Sequence, residues 1–226
     1  MPPRTIAIDG PAGSGKSVIG LWLARELGYA YLDTGALYRA IAYLALRRGV
    51  DPRDGPRLAE LAGRADLQIE PPAGRDDPIG YAVRLDGRDV TAELFTPAVN
   101  EAVSPVASQP EVRSALLPIQ RRIAGQGRVV MAGRDIGTVV MPDAELKLYL
   151  DASVEERARR RWQQEQRSGR GRGMAEVLAD VRQRDRIDSD RADAPLRAAE
   201  DAVVLATDGM ALDEEKARIR QLLETR

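Results

Sequence analysis

One octapeptide near the start of the chain, Gly10-Pro-Ala-Gly-Ser-Gly-Lys-Ser17, limits what this sequence can fold into more than any other feature. It matches G-x-x-x-x-G-K-[ST], a loop whose backbone N–H groups close around phosphate oxygens. Glycine suits that cradle because side chains would fill it and because the turn uses unusual backbone angles. The loop has to join a strand to a helix whose N-terminus faces the anion. Both flanks are present. Thr5–Asp9 is a short β-branched apolar run, read as a buried strand. Lys16–Leu27 has helical spacing (Val18, Leu21, Trp22, Arg25) before Gly28, a candidate C-cap. A chain of this composition would match the pattern by accident roughly once in a thousand. The loop therefore predicts a nucleoside triphosphate site made of Gly10, Pro11, Ala12, Gly13, Ser14, Gly15, Lys16, Ser17 and Val18. Lys16 would reach the β and γ oxygens, and the Ser17 hydroxyl would ligate Mg²⁺.

Beyond the loop, strands alternate with helices. Residues 29–33 read as a second strand, and Thr34 could N-cap a helix to about residue 48. From 51 to 80 the pattern weakens, with Pro52, Pro56, Pro71, Pro72 and Pro78 as punctuation. Residues 81–85 and 88–90, joined by Asp86-Gly87, read as a β-hairpin in a small inserted unit. Helices are expected at Pro97–Ala107, 111–124, Val154–Arg167, 175–188 and 213–223, and strands at 128–132, 146–150 and 202–206. This order argues for a single α/β domain over residues 1–226, its parallel sheet covered on both faces.

Two absences restrict the chemistry. The 226 residues include no His and no Cys. That removes thiol nucleophiles, disulfides, thiolate metal sites, the Ser-His-Asp triad and any imidazole base. The 34 basic residues balance 35 acidic ones for a net charge of −1, which argues against a nucleic-acid coat or a membrane-surface protein. The first residues, Met1-Pro-Pro-Arg-Thr-Ile, hold no secretory apolar segment. The longest apolar run, residues 40–46, is far short of the roughly 18 residues a membrane span needs. We expect a cytoplasmic monomer acting on small molecules.

Four further motifs narrow the class: Asp33-Thr-Gly-Ala-Leu-Tyr-Arg39, Gly133-Arg-Asp-Ile-Gly-Thr-Val-Val140, Pro142-Asp-Ala144, and Arg184-Asp-Arg-Ile-Asp-Ser-Asp-Arg191 followed by Pro195-Leu196. With them the chain closely resembles the bacterial cytidylate kinases, from Ile6 to about Asp201. It departs at Val18, at Met141 and at Ala132, where an acidic residue often precedes Gly-Arg-Asp. The resemblance implies transfer of the γ-phosphoryl group of ATP, with Mg²⁺, to CMP or dCMP. It also implies a P-loop kinase three-layer sandwich: about five central parallel strands, a monophosphate-binding region over about 34–115 with its insert, and a lid over about 153–173.

The residues fit that chemistry independently. A nucleoside monophosphate has a second phosphate pKa near 6, so it is largely dianionic at neutral pH and needs no general base. Positioning and charge neutralisation suffice, so the arginines become the catalytic material. Residues 155–172 hold seven Arg against three Glu, with Arg157 and Arg161 on one helix face and a glycine-rich hinge at 168–173. That composition suits a lid closing over the triphosphate. Arg184, Asp188 and Arg191 are spaced to share a helix face; the resemblance sets Arg191 on a phosphate and Arg184 with Asp188 on the ribose. Thr34, Tyr38 and Arg39 begin the second helix, with Arg39 expected beside the acceptor phosphate. Arg134 and Asp135 follow a strand at its carboxyl end, where open α/β sheets place ligands. Ser104 and Arg113 match base-contacting positions of the family's insert. Lys16, Arg134, Arg191, Arg157 and Arg161 are the expected catalytic set. A GTPase is excluded by the lack of an Asn-Lys-x-Asp motif, and a DNA-linked ATPase is disfavoured by length and charge. A monophosphate kinase of other base selectivity is the alternative.

Overall fold

A computed structural model of the chain describes residues 1–72, 74, 76–167, 171–191 and 193–224. In chain order the first elements are β1 (Thr5–Asp9), α1 (Lys16–Leu27), β2 (Ala30–Asp33) and α2 (Gly35–Arg48). An inserted unit follows: α3 (Gly55–Arg64), β3 (Leu67–Glu70), β4 (Ala82–Leu85), β5 (Arg88–Asp89), α4 (Pro97–Ala107) and α5 (Pro110–Ala124). The chain then forms β6 (Val129–Ala132), β7 (Leu146–Asp151), α6 (Val154–Arg167), α7 (Met174–Ser189), β8 (Val203–Ala206) and α8 (Leu212–Glu224).

Five strands make one parallel sheet in the order β2-β6-β1-β7-β8, flanked by helices. Its centre is apolar throughout: Ile6, Ala7, Ile8, Val130, Met131 and Ala132 are fully buried, as expected of parallel strands covered by helices. The register aligns the carboxyl ends, with Asp9 opposite Tyr149 and Asp33 opposite Ala132. The phosphate loop, Thr34 and Arg134 therefore start from one edge of the sheet.

The inserted unit is larger than the sequence suggested. Its sheet is antiparallel and three-stranded, β3-β4-β5, and α3 and β3 lie in the stretch where the pattern looked weak. The prolines there do not break α3. Pro56 sits in its first turn, where the missing N–H costs nothing, and the Asp54 carboxylate caps the helix through the Arg57 N–H at 3.2 Å. The Asp86-Gly87 turn forms as expected, with φ of 52° and 77°.

Two local expectations change. Thr34 precedes α2, but its hydroxyl donates to the Ala132 carbonyl at 3.1 Å instead of capping; the Asp33 carboxylate takes the Gly35 N–H at 3.0 Å. Helix α7 ends at Ser189, so Arg191 lies beyond it and is not the third member of a helical face. The chain still turns Arg191 back, its Nε donating to the Asp188 carbonyl at 3.2 Å.

Helices α6 and α7 pack on each other around their own small core of Ala158, Val177 and Val181, separate from the main one. A pair with few apolar contacts of its own is the kind of unit that opens locally.

Candidate active site

The loop from 10 to 17 is built as its glycines require. Gly10 has φ 147°, and a Cβ there would come within 2.2 Å of the Leu150 carbonyl oxygen. Lys16 is buried and donates from Nζ to the Pro11 carbonyl at 2.6 Å and to Ser14 Oγ at 3.3 Å. Burial, then the nearby Arg134 charge, hold its pKa well below the usual lysine range. A buried cation beside another cation gains strongly from a polyanion.

Ser17 Oγ donates to Asp33 Oδ2 at 2.7 Å at the mouth of the loop. A hydroxyl and a carboxylate are hard oxygen donors of the kind Mg²⁺ takes. Among the described residues no group of three or more His, Cys, Asp or Glu side chains could hold a metal. The pair therefore fits a cation that arrives with phosphate rather than one caged by protein. Val18 is exposed on the first turn of α1.

Across from the loop stand the remaining arginines. Arg134 Nε donates to Asp188 Oδ2 at 2.7 Å, and Arg191 Nη2 stands 3.7 Å from Asp188 Oδ1. That Arg191 nitrogen is buried with no hydrogen-bond partner. Burial raises the Asp188 pKa, but Arg134 and Arg191 outweigh it and hold the carboxyl below the usual range. Arg39 donates from Nη1 to Asn100 Oδ1 at 2.7 Å and to the Leu94 carbonyl at 3.1 Å, and it stacks over Phe95. Arg184 Nη2 donates to the Asn100 carbonyl at 3.1 Å, and its Nε lies 3.6 Å from Asp180. Arg184 thus faces Asn100 and Asp180, not Asp188. Burial lowers the pKa of Arg39, Arg184 and Arg191. Several half-desolvated guanidiniums sharing few acids are chemically suited to grip an anion.

Beside it, Arg113 Nη2 donates to Asp135 Oδ2 at 2.5 Å, and both side chains are less than a tenth exposed. The Arg113 guanidinium also lies over the Tyr38 ring, 5.8 Å from its centroid, and its Nε is 3.5 Å from Asp193. Tyr38 Oη accepts from Gln120 at 3.4 Å. Ser104 is half-buried on α4, one turn after Asn100.

The expected lid arginines part company. Arg157 is buried; its guanidinium donates to the Ala152 and Ala12 carbonyls and makes a bidentate pair with Asp185 at 2.9 and 2.6 Å. Arg161 is partly exposed and pairs with Glu165 at 3.1 Å. Arg160 turns to Thr207 and Glu215. Of the expected hinge, residues 168–170 lie outside the described residues.

With this geometry in view, the sequence model of the cytidylate kinase family matches residues 6–225. The chain belongs to that family. It is 49% identical over 217 residues to the cytidylate kinase of Desulfitobacterium hafniense (strain Y51), covering 96% of this chain and 91% of that one. It is 50% identical over 212 residues to the cytidylate kinase of Herpetosiphon aurantiacus, covering 94% and 90%. A solved structure of an uncharacterized protein from Eubacterium ventriosum superposes with a TM-score of 0.53 at 11% identity over 98% of both chains, a likeness of fold alone. Membership in the cytidylate kinase family makes the chain a phosphotransferase.

Three acidic residues around the candidate site carry no individual signal in the sequence: Asp33, Asp185 and Asp9. Asp33 heads one quoted motif, Asp185 lies within another and Asp9 ends the strand before the phosphate loop, but a lone Asp carries no partner in its spacing. Asp9 is 3% exposed and accepts from the Ile136 N–H at 2.8 Å and the Gly137 N–H at 2.7 Å. Burial pushes its pKa up from 3.8 to about 6, while the two N–H donors and Lys16 pull it down. Since the folded value lies above the ordinary one, ionising Asp9 costs stability. Its contribution is full below pH 4 and is lost as pH rises through about 6. A carboxyl-carbon NMR titration of the ligand-free enzyme is expected to place the Asp9 midpoint near 6; a midpoint near 4 would contradict this.

Proposed function

We propose that this enzyme transfers the γ-phosphoryl group of ATP to CMP or dCMP, giving ADP and CDP or dCDP. The observation that supports this most is the cationic site itself. Arg134 and Arg191 converge on Asp188, Arg39 and Arg184 converge on Asn100, and Arg134 and Asp188 lie within electrostatic reach of Lys16. It offers one place for a triphosphate and a second, separately built, for a monophosphate.

A monophosphate oxygen, already ionised, attacks the γ-phosphorus as the bond to the β-phosphate oxygen breaks. Lys16 and Arg134 balance the charge on the transferred group, Arg191 does so from its place on the acceptor phosphate, and Arg157 and Arg161 belong to the segment that excludes water. Ser17 and Asp33 would hold Mg²⁺, which would supply neutralisation of phosphate charge. Arg39 grips the acceptor phosphate, Arg184 and Asp188 face the ribose, and Asp135, Arg113 and Ser104 face the base. Thr34 and Tyr38 line the acceptor side of α2. The balanced charge argues against a broad nucleic-acid or membrane-surface role, and the reading includes a cytoplasmic monomer. Among the described residues no helix is long and apolar enough to cross a membrane.

ADP release measured with CMP, dCMP, UMP, AMP and GMP tests the reading. CMP and dCMP are expected to lead; faster turnover of UMP or a purine nucleotide would overturn the cytosine assignment.

Arg191→Ala is expected to weaken CMP binding about tenfold or more and ATP binding far less, since charge-assisted bidentate contacts to the acceptor phosphate are lost. Arg39→Ala should act in the same direction. Calorimetry with each nucleotide separates the two affinities, and equal losses would mean a structural role. Saturating ATP with CMP is expected to protect residues 155–173 from hydrogen exchange, because anions give the closed lid contacts that the open one lacks. Unchanged exchange would show that the segment is not a lid.

A further inference from the structure

The segment that carries Arg134 and Asp135 continues into a single π-helical turn, Ile136–Val140. The first N–H groups of a helical turn have no partner within it. Here the first two, from Ile136 and Gly137, are both taken by one carboxylate, each by a different oxygen of Asp9. Asp9 is the last residue of β1 and the one before Gly10, so a single residue ends the strand that launches the phosphate loop and holds the turn that follows Asp135.

The far end of the same segment is pinned from the next strand. Lys147 on β7 is buried and donates from Nζ to the Pro142 carbonyl and to Asp201 Oδ1 at 2.8 Å. Its aliphatic stem lies against Gly137: a Cβ at that position would stand 3.1 Å from Lys147 Cδ and 3.4 Å from Asp9 Oδ2. Ala7 and Lys147 are register partners in β1 and β7, so the two clamps rise from neighbouring strands. Buried charges are a poor way to gain stability, since apolar residues of similar volume often serve as well or better. What this pair delivers is placement of the backbone between them.

We infer that Asp9 is a positioning residue for the acceptor nucleotide. Through the N–H groups of Ile136 and Gly137 it sets where the Asp135 carboxylate stands. The inference rests on the reading that Asp135 faces the base. A carboxylate is needed, because both partners are donors; an amide would turn its own NH₂ toward one of them.

The test is Asp9→Asn, with Asp135→Asn measured beside it and Gly137→Ala as an independent perturbation that leaves the Asp9 side chain in place. Asp9→Asn is expected to raise KM for CMP about tenfold, to lower the preference for CMP over UMP about tenfold, and to leave KM for ATP within about twofold. Gly137→Ala should lower the same preference, since its methyl group crowds the Lys147 stem and so shifts the Gly137 N–H that Asp9 holds. A merely structural role would reduce the amount of active enzyme without moving the CMP to UMP ratio. If Asp135→Asn loses the preference while Asp9→Asn keeps it, the inference falls and the base reading stands. If Asp135→Asn keeps the preference, both fall. If KM for ATP rises as much as KM for CMP, Asp9 supports the loop and not the turn. Should Asp9→Asn fail to fold, an unchanged ratio in Gly137→Ala overturns the inference.

Discussion

Lys16→Ala leaves the protein folded and lowers turnover by two orders of magnitude or more. Lys16 is buried, and desolvation first, then the Arg134 charge, lower its pKa. Its two hydrogen bonds, to Pro11 and Ser14, are local to the loop. Its value appears when a triphosphate arrives and charge builds on the transferred group. Losing one fixed donor of that kind costs about 2.7–4 kcal/mol, or 10²–10³ in rate. Steady-state turnover at saturating CMP, with thermal denaturation as the control for folding, gives the answer. A folded variant with near-normal turnover would remove this loop from the mechanism.

Asp135→Ala removes most of the discrimination between CMP and UMP. Cytosine presents an N4 amino donor, and uracil has no such group in its place. A carboxylate facing that edge is satisfied by cytosine and meets an acceptor in uracil, at a cost of roughly 1–3 kcal/mol, so the preference should be tens-fold or more. The structure adds a second consequence. Asp135 and Arg113 are a buried pair in the ligand-free enzyme, and removing one partner of such a pair costs about 3–5 kcal/mol. Arg113 keeps Asp193 at 3.5 Å, so the loss should fall at the low end of that range. The variant is expected to melt earlier and to lose CMP activity while UMP activity changes little. Competition kinetics with both nucleotides, on Asp135→Ala and on the gentler Asp135→Asn, separate selectivity from stability. Full retention of the CMP preference in both variants would mean that Asp135 does not read the base.

The parts of this fold that could be read from the sequence are those whose reasons are local. The loop at 10–17 needs its glycines, its lysine and its helix within a few residues, so strand, loop and helix fall where expected. The Asp86-Gly87 turn is specified by two residues. Helix α3 was hidden because Pro56 reads as a breaker unless its place in the first turn is known, and β3 was lost with it. The arginines show the deeper limit. Composition marks residues 155–172 as basic, but it does not say that Arg157 spends its charge on Asp185, 28 residues on, while Arg161 stays with Glu165. Asp9 finds its partners 127 and 128 residues away, a pairing made by strand order alone. Arg184 and Arg191 were assigned to one helix face by spacing, and the chain leaves the helix between them.

The Arg157 contacts bear on how the two nucleotides sense each other. Its guanidinium has five N–H groups, and it applies them to the corner after β7, to the phosphate loop at Ala12, and to α7 at Asp185. A triphosphate that drew Arg157 toward itself would have to displace charge-assisted hydrogen bonds worth about 1.5–3 kcal/mol each. The helix released by that exchange is the one bearing Arg184 and Asp188. In that case occupancy of the donor site would be coupled by a single side chain to the freedom of the acceptor site. By reciprocity the acceptor must alter the grip on the donor to the same degree.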